Sequence, residues 1–123
     1  MTSAENPIAF DIDELEKLEA EAAVDKLLVF SIETHCSDVF LFTESATITL
    51  TVRRHGQISV LGAVSQDLGR HMIGTIKAAA NMDITEQRRP QDGRWLHRAG
   101  PRHLDVRINS IPTIHGVDLA LRL

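Results

Sequence analysis

The chain has 123 residues, of which 43% are hydrophobic and 24% charged, with a net charge of −4. That length suits one ordinary domain with a single core, and no apolar run reaches the roughly 18 residues of a membrane-spanning helix, so no such helix is expected within these residues. A single cysteine, Cys36, excludes an internal disulfide and an all-cysteine metal site, and points to a reducing, cytoplasmic setting.

The charge is unevenly spread. Residues 1–44 carry eleven acids against two lysines, and residues 45–123 carry six acids against eleven lysines and arginines. An acidic front thus precedes a basic back. No basic n-region followed by an apolar h-region stands at the N-terminus, which argues against a secretory signal.

In chain order, Met1–Asn6 reads as disordered and Pro7 closes it. Ile8–Glu21 is acidic, with Ile12, Leu15 and Leu18 at helical spacing and Asp11 or Asp13 as a cap. Its sparse apolar positions predict a helix peripheral to the core, so residues 1–21 are expected to be an extension and residues 22–123 the domain. Ala22–His35 predicts a second helix, with Val24, Leu27, Leu28, Phe30 and Ile32 as a wide apolar stripe. Periodicity leaves open whether the two are one helix or two meeting near Ala20–Ala23.

Strands are predicted at Val39–Thr43, at Ala46–Arg54 and, after a His55-Gly56 turn, at Gln57–Leu61. The middle one alternates, with Ile48, Leu50 and Val52 against Thr47, Thr49, Thr51 and Arg53. Ser65 caps a helix from Gln66 to about Asn81, buried through Leu68, Met72, Ile73, Ile76 and Ala80. Gly69 and Gly74 weaken it by about 1 kcal/mol each relative to alanine.

Asp83–Arg107 holds six of the ten arginines and the only tryptophan, Trp95. Asp92-Gly93 reads as a turn, Arg94–Arg98 as a strand and Ala99-Gly100-Pro101 as another turn. His103–Asn109 then alternates Leu104, Val106 and Ile108 against Asp105, Arg107 and Asn109, the period of a half-buried strand. Ser110–Gly116 reads as a loop and Val117–Leu123 as the last strand. Helix, strands, helix, strands in that order predicts an α+β fold with an antiparallel sheet packed with helices. Arginines displayed on such strands suit two-pronged contacts with phosphate or carboxylate.

Met82-Asp83-Ile84, Glu86, Arg88–Arg94, Asp105–Gly116 and Leu121-Arg122-Leu123 resemble, in order and spacing, the domain that precedes the ATPase core in the type II secretion and type IV pilus assembly ATPases. The resemblance is strong from Met82 on and weaker over residues 22–81. The family often has Ser-Asp-Ile-His-Ile-Glu-Pro where this chain reads Ser37–Thr43, Arg-x-Asp-Gly where it reads Arg53-Arg54-His55-Gly56, and Glu after the His-Gly where it reads Val117. The resemblance implies a compact, PAS-like α+β domain and a break between the first two helices. It also implies that Arg94 and Arg107 reach the phosphates of a nucleotide held by the core, and that Arg88, Arg89, Gln91, Asp92 and His115 sit at interfaces. Implied partners are the ATPase core, neighbouring subunits of a hexamer and the inner-membrane platform of the machine. ATP and Mg²⁺ would serve the longer protein at the cytoplasmic side of the inner membrane.

No Gly-x4-Gly-Lys-Ser/Thr occurs, so this chain by itself is expected to be non-catalytic. Histidines 97, 103 and 115 show no metal-ligand spacing, and no metal is expected. A bland alternative pairs the surface arginines with Asp92 and Asp105. Two others are an arginine-rich nucleic-acid-binding domain and a PAS-like small-ligand sensor. Net negative charge, few aromatics and no recognition helix count against nucleic acid, and no ligand signature supports a sensor.

Overall fold

The structure, a computed structural model, describes residues 9–123. The expectation for Met1–Asn6 and the predicted helix start at Ile8 lie outside those residues. Three helices, α1 (Ile12–Glu16), α2 (Ala20–Glu33) and α3 (Gln66–Ala79), accompany six strands. The strands are β1 (Asp38–Thr43), β2 (Thr47–Arg54), β3 (Gln57–Ser65), β4 (Gln91–Ala99), β5 (Arg102–Thr113) and β6 (Gly116–Arg122). They form one antiparallel sheet in the order β3-β2-β1-β6-β5-β4. The predicted α+β class is the observed one. Two antiparallel meanders meet where β1 pairs with β6, and α3 lies between them in sequence.

The helices cover one face of the sheet. Period-two alternation sends Val39, Leu41, Ile48, Leu50, Val52, Val106, Ile108, Leu119 and Leu121 to that face, all at most 1% exposed. Leu27 and Leu28 of α2 and Met72 and Ile76 of α3 close over them. The β2–β3 hairpin turns on His55 (φ 53°) and Gly56 (φ 78°), a two-residue loop of the twist that hairpins favour. Ser65 caps α3 by accepting from the Leu68 amide, as its sequence position predicts.

Four expectations are corrected. First, α1 is not peripheral. Leu15 is fully buried, Ile12 stands against Gly62 at a bulge in β3, and the Glu16 carboxylate accepts from the Ser65 amide and hydroxyl. An acidic helix of five residues has one apolar side, and that side is enough to dock it. Second, Asp92-Gly93 is strand, not turn: Gly93 pairs with Ile108. A Cβ there would lie 2.5 Å from the Met82 sulfur and 2.8 Å from the Ala80 Cβ, so the glycine serves the close approach of the segment after α3. Third, Ser110–Thr113 extends β5 instead of forming a loop, and only Ile114-His115 turns. Pairing with β4 ends at Ser110, so Pro112 has a strand on one side only, where a proline is tolerated. Fourth, β3 runs four residues past Leu61, to Ser65.

Gly69 is also a packing residue. A Cβ there would stand 2.7 Å from the Cβ and 2.5 Å from the Cδ1 of Ile48. The Ile48 Cβ is fixed by its strand and cannot rotate away. Gly69→Ala should therefore destabilise the fold by about 1–3 kcal/mol of overpacking, despite a helix-propensity gain of about 1 kcal/mol. Urea unfolding checks this, and an unchanged or raised midpoint would refute it.

Candidate functional site

Among the described residues nothing covers the sheet face opposite the helices. Sequence alternation places on it Arg94 and Asp92 from β4, Asp105, Arg107 and Asn109 from β5, Ala120 and Arg122 from β6, Asp38 and Phe40 from β1, and Thr51 and Arg53 from β2. Strand register then aligns these residues. Arg94 stands opposite Arg107, Arg107 opposite Arg122, Arg122 opposite Asp38, and Asp38 opposite Arg53. One row across five strands thus holds four arginines around one carboxylate. Successive steps are about 4.8 Å apart, the spacing of neighbouring strands.

A parallel row gives the site its floor. Asn109 stands opposite Ala120, Ala120 opposite Phe40, and Phe40 opposite Thr51. The small Ala120 leaves an open depression of about 730 Å³, bounded by Arg94, Arg107 and Arg122 on one side and Phe40 and Arg53 on the other. The Arg53 guanidinium stands 5.6 Å over the Phe40 ring, which stacks on Phe42.

The four arginines differ in their partners. Arg94 makes a two-pronged pair with Asp105, Nε to Oδ1 at 2.8 Å and a terminal nitrogen to Oδ2 at 2.7 Å. This is the pairing that the bland alternative expects for Arg94. Hydrogen bonding from Arg94 holds the Asp105 carboxyl below the usual carboxylate range, with the charges of Arg94 and Arg107 adding to it. Because that value is depressed in the folded state, the pair supports the fold at neutral pH and is lost as pH falls through it. Arg53 and Arg122 flank Asp38 more loosely, at 3.9 and 3.7 Å, while the Ser37 hydroxyl donates to Asp38 Oδ2 at 2.7 Å. Among the described residues Arg107 has no ion-pair partner within 4.0 Å.

Of the residues singled out in the sequence, Arg94, Arg107 and Asp92 line this depression, whereas Arg88, Arg89, Gln91 and His115 do not. Arg88 and Arg89 are exposed in the loop before β4, and His115 lies in the turn after β5. The Gln91 side chain closes that loop, accepting from the Asp83 amide at 2.8 Å and donating to its carbonyl at 3.0 Å. Sequence reasoning missed Arg122, Arg53 and Asp38 as members of one row. The alternation of Val117–Leu123 puts Arg122 on the outer face, but only the β1–β6 pairing brings Asp38 and Arg53 beside it. Among the described residues no three His, Cys, Asp or Glu side chains converge to hold a metal ion. His97 instead pairs with Asp25 of α2 at 2.9 Å.

Lys77 was also missed. It is 1% exposed on α3, and its Nζ donates to the Glu86 carbonyl at 3.0 Å. Burial pushes its amine below the ordinary lysine value, with Asp83 and Glu86 opposing that shift. Lys77 thus ties the arginine-bearing loop to the helix. Lys77→Met keeps the aliphatic stem and leaves the carbonyl unpaired, which should cost about 1–2 kcal/mol and speed amide exchange over residues 83–90. Exchange in that loop equal to the parent's would show that the tie is dispensable.

A sequence profile of the Type II/IV secretion system protein family matches residues 13–123. The putative type II secretion system protein E of Escherichia coli (strain K12) is 34% identical over 100 residues, covering 81% of this chain and 20% of that protein. The type II secretion system ATPase E of Vibrio cholerae is 33% identical with the same coverage. The type II secretion system protein E of Klebsiella pneumoniae is 32% identical over 117 residues, 92% of this chain and 24% of that one. The chain therefore spans about a fifth to a quarter of the length of the curated relatives it matches. With a profile match over nearly all of its length and relatives above 30% identity, the chain belongs to the Type II/IV secretion system protein family.

Proposed function

We propose that this chain is a non-catalytic domain that precedes the ATP-hydrolysing core of a type II secretion ATPase and presents arginines to the nucleotide held there. The observation that carries this reading is the cross-strand pair Arg94–Arg107 on the uncovered sheet face. The two residues are direct partners on rigid strands, both are exposed, and no other described residue of this chain covers them. Relatives that include an ATPase E by name, and that are about five times longer than the matched stretch, supply the context.

The side chains here fit one part of a Mg²⁺–nucleotide group and not the other. Guanidinium groups offer fixed N–H donors for phosphate oxygens, whereas among the described residues no carboxylate set converges for the cation, and in this reading the core holds the metal. When bound, the nucleotide supplies the phosphoryl group that is transferred, and Arg94 and Arg107 stabilise the charge spread over its oxygens. In the same reading Arg88, Arg89, Gln91, Asp92 and His115 face the core or neighbouring subunits of a hexamer. The assembly works at the cytoplasmic side of the inner membrane, against its platform proteins. Among the described residues no helix is long and apolar enough to cross that membrane.

The isolated chain is expected to release no phosphate from ATP, because it has no phosphate-cradling Gly-Lys-Ser/Thr loop. A phosphate-release assay checks this. Turnover that survives repurification would overturn the non-catalytic assignment.

A further inference from the structure

The uncovered face carries a row longer than the two arginines used above, and the members of that row are not equally available. Arg94 already commits Nε and a terminal nitrogen to Asp105. Arg107 and its cross-strand neighbour Arg122 make no side-chain hydrogen bond among the described residues, Arg122 lying 3.7 Å from Asp38. Asp38 sits low in the sheet, its side chain 12% exposed, while the Arg122 side chain is 75% exposed above it. Beside this pair the surface dips at Ala120 and rises again at Arg53.

We propose that this face binds an oligophosphate laid across the strands, with Arg107 and Arg122 as its principal contacts and Arg53 closing the far side of the depression. The inference rests on the reading of this face as phosphate-facing and deepens it by naming Arg122 and the direction of the chain. Arg107 and Arg122 are direct partners on neighbouring strands, their backbones about one strand spacing apart, and each side chain ends in a planar fork of donors. A single phosphate satisfies one fork. Two or three linked phosphates satisfy both at once, so the row discriminates by chain length. Asp38 opposes an anion placed between Arg122 and Arg53, which confines the chain to the Arg107–Arg122 side. Arg94, with Nε and one terminal nitrogen held by Asp105, stands at the rim with its remaining donors free.

The test titrates inorganic triphosphate into the 123-residue chain at low ionic strength, followed by calorimetry or amide chemical shifts. Binding is expected on the order of a millimolar, weakening from triphosphate to pyrophosphate to phosphate. Arg107→Ala and Arg122→Ala should each weaken it at least fivefold. Arg70→Ala, which removes the same charge from exposed Arg70 of α3, should leave it within twofold. Equal affinity for phosphate and triphosphate would overturn the inference, as would equal losses in all three variants. A single-stranded oligonucleotide bound more tightly than triphosphate would also overturn it, by making the row a nucleic-acid surface. Loss in Arg107→Ala with none in Arg122→Ala would sink the role of Arg122 and leave the nucleotide-contact reading standing. That reading fails separately, if the longer ATPase keeps its turnover without Arg94 and Arg107.

Discussion

Under the proposed function, replacing Arg107 by alanine in the longer ATPase should lower turnover by about 10³-fold, the lower end of what an arginine supplied to a transferring phosphoryl group contributes. Arg107 is on the outer face of β5, exposed and without an ion-pair partner among the described residues. Its removal therefore leaves no buried charge and should change the stability of this domain by no more than about 0.5 kcal/mol. Arg94→Ala is expected to act in the same direction for two combined reasons: it removes one guanidinium and frees the Asp105 carboxylate beside the remaining one. A double variant, Arg94→Ala with Asp105→Asn, separates the two effects. If the freed carboxylate is what harms turnover, the second change recovers part of the loss. The measurement is steady-state phosphate release, with circular dichroism to show the fold intact. Near-normal turnover in both single variants would make these arginines structural and remove the main support for the proposed function.

The strands were legible wherever one face is buried and the other wet. β2 and the first half of β5 alternate because every second residue meets the helices, and a one-residue slip would put Leu50 or Val106 in water. The caps of α3 were legible because Ser65 and Asn81 act locally, Asn81 at φ 58° stopping the helix. Misreadings arose where a local signal served a tertiary purpose. Gly93 looked like a turn residue, but it is there because Met82 and Ala80 press on the strand. Pro112 looked like a loop residue and occupies a strand that has lost its neighbour on one side.

The candidate site was half legible for the same reason. Arg94 and Arg107 lie on consecutive strands, so a hairpin suffices to set them side by side, and a motif recorded both. Arg122, Asp38 and Arg53 reach the row only through the β1–β6 pairing, which joins the two ends of the domain. No periodicity within either strand states which residue of β6 stands opposite Asp38. That register is fixed by the core on the other face, where Val39 meets Leu121 and Leu41 meets Leu119. The apolar side of the sheet thus sets the alignment of the charged side.

Leu15→Ala should destabilise the domain by about 2–5 kcal/mol, the cost of emptying a filled core position. Composition argues otherwise, since α1 is acidic and five residues long, and its loss was expected to matter little. Three contacts reverse that expectation. Leu15 is fully buried in the same cluster as Leu27 and Leu28. Ile12 fills the space left by Gly62, where the β3 bulge turns the backbone to φ 146° and a Cβ would stand 3.0 Å from Ile12. Glu16 accepts from the amide and hydroxyl of Ser65 at the start of α3, so α1 also supports the cap of a helix far along the chain. Set against the roughly 5–15 kcal/mol that holds an ordinary domain together, losing Leu15 alone is a large fraction, and deleting residues 1–19 should leave a chain that unfolds at much lower urea or aggregates. Glu14→Ala, on the exposed side of the same helix, should change the stability by no more than about 0.5 kcal/mol and serves as the control. A truncated chain that unfolds at the parent midpoint would show that α1 rests on the domain without supporting it.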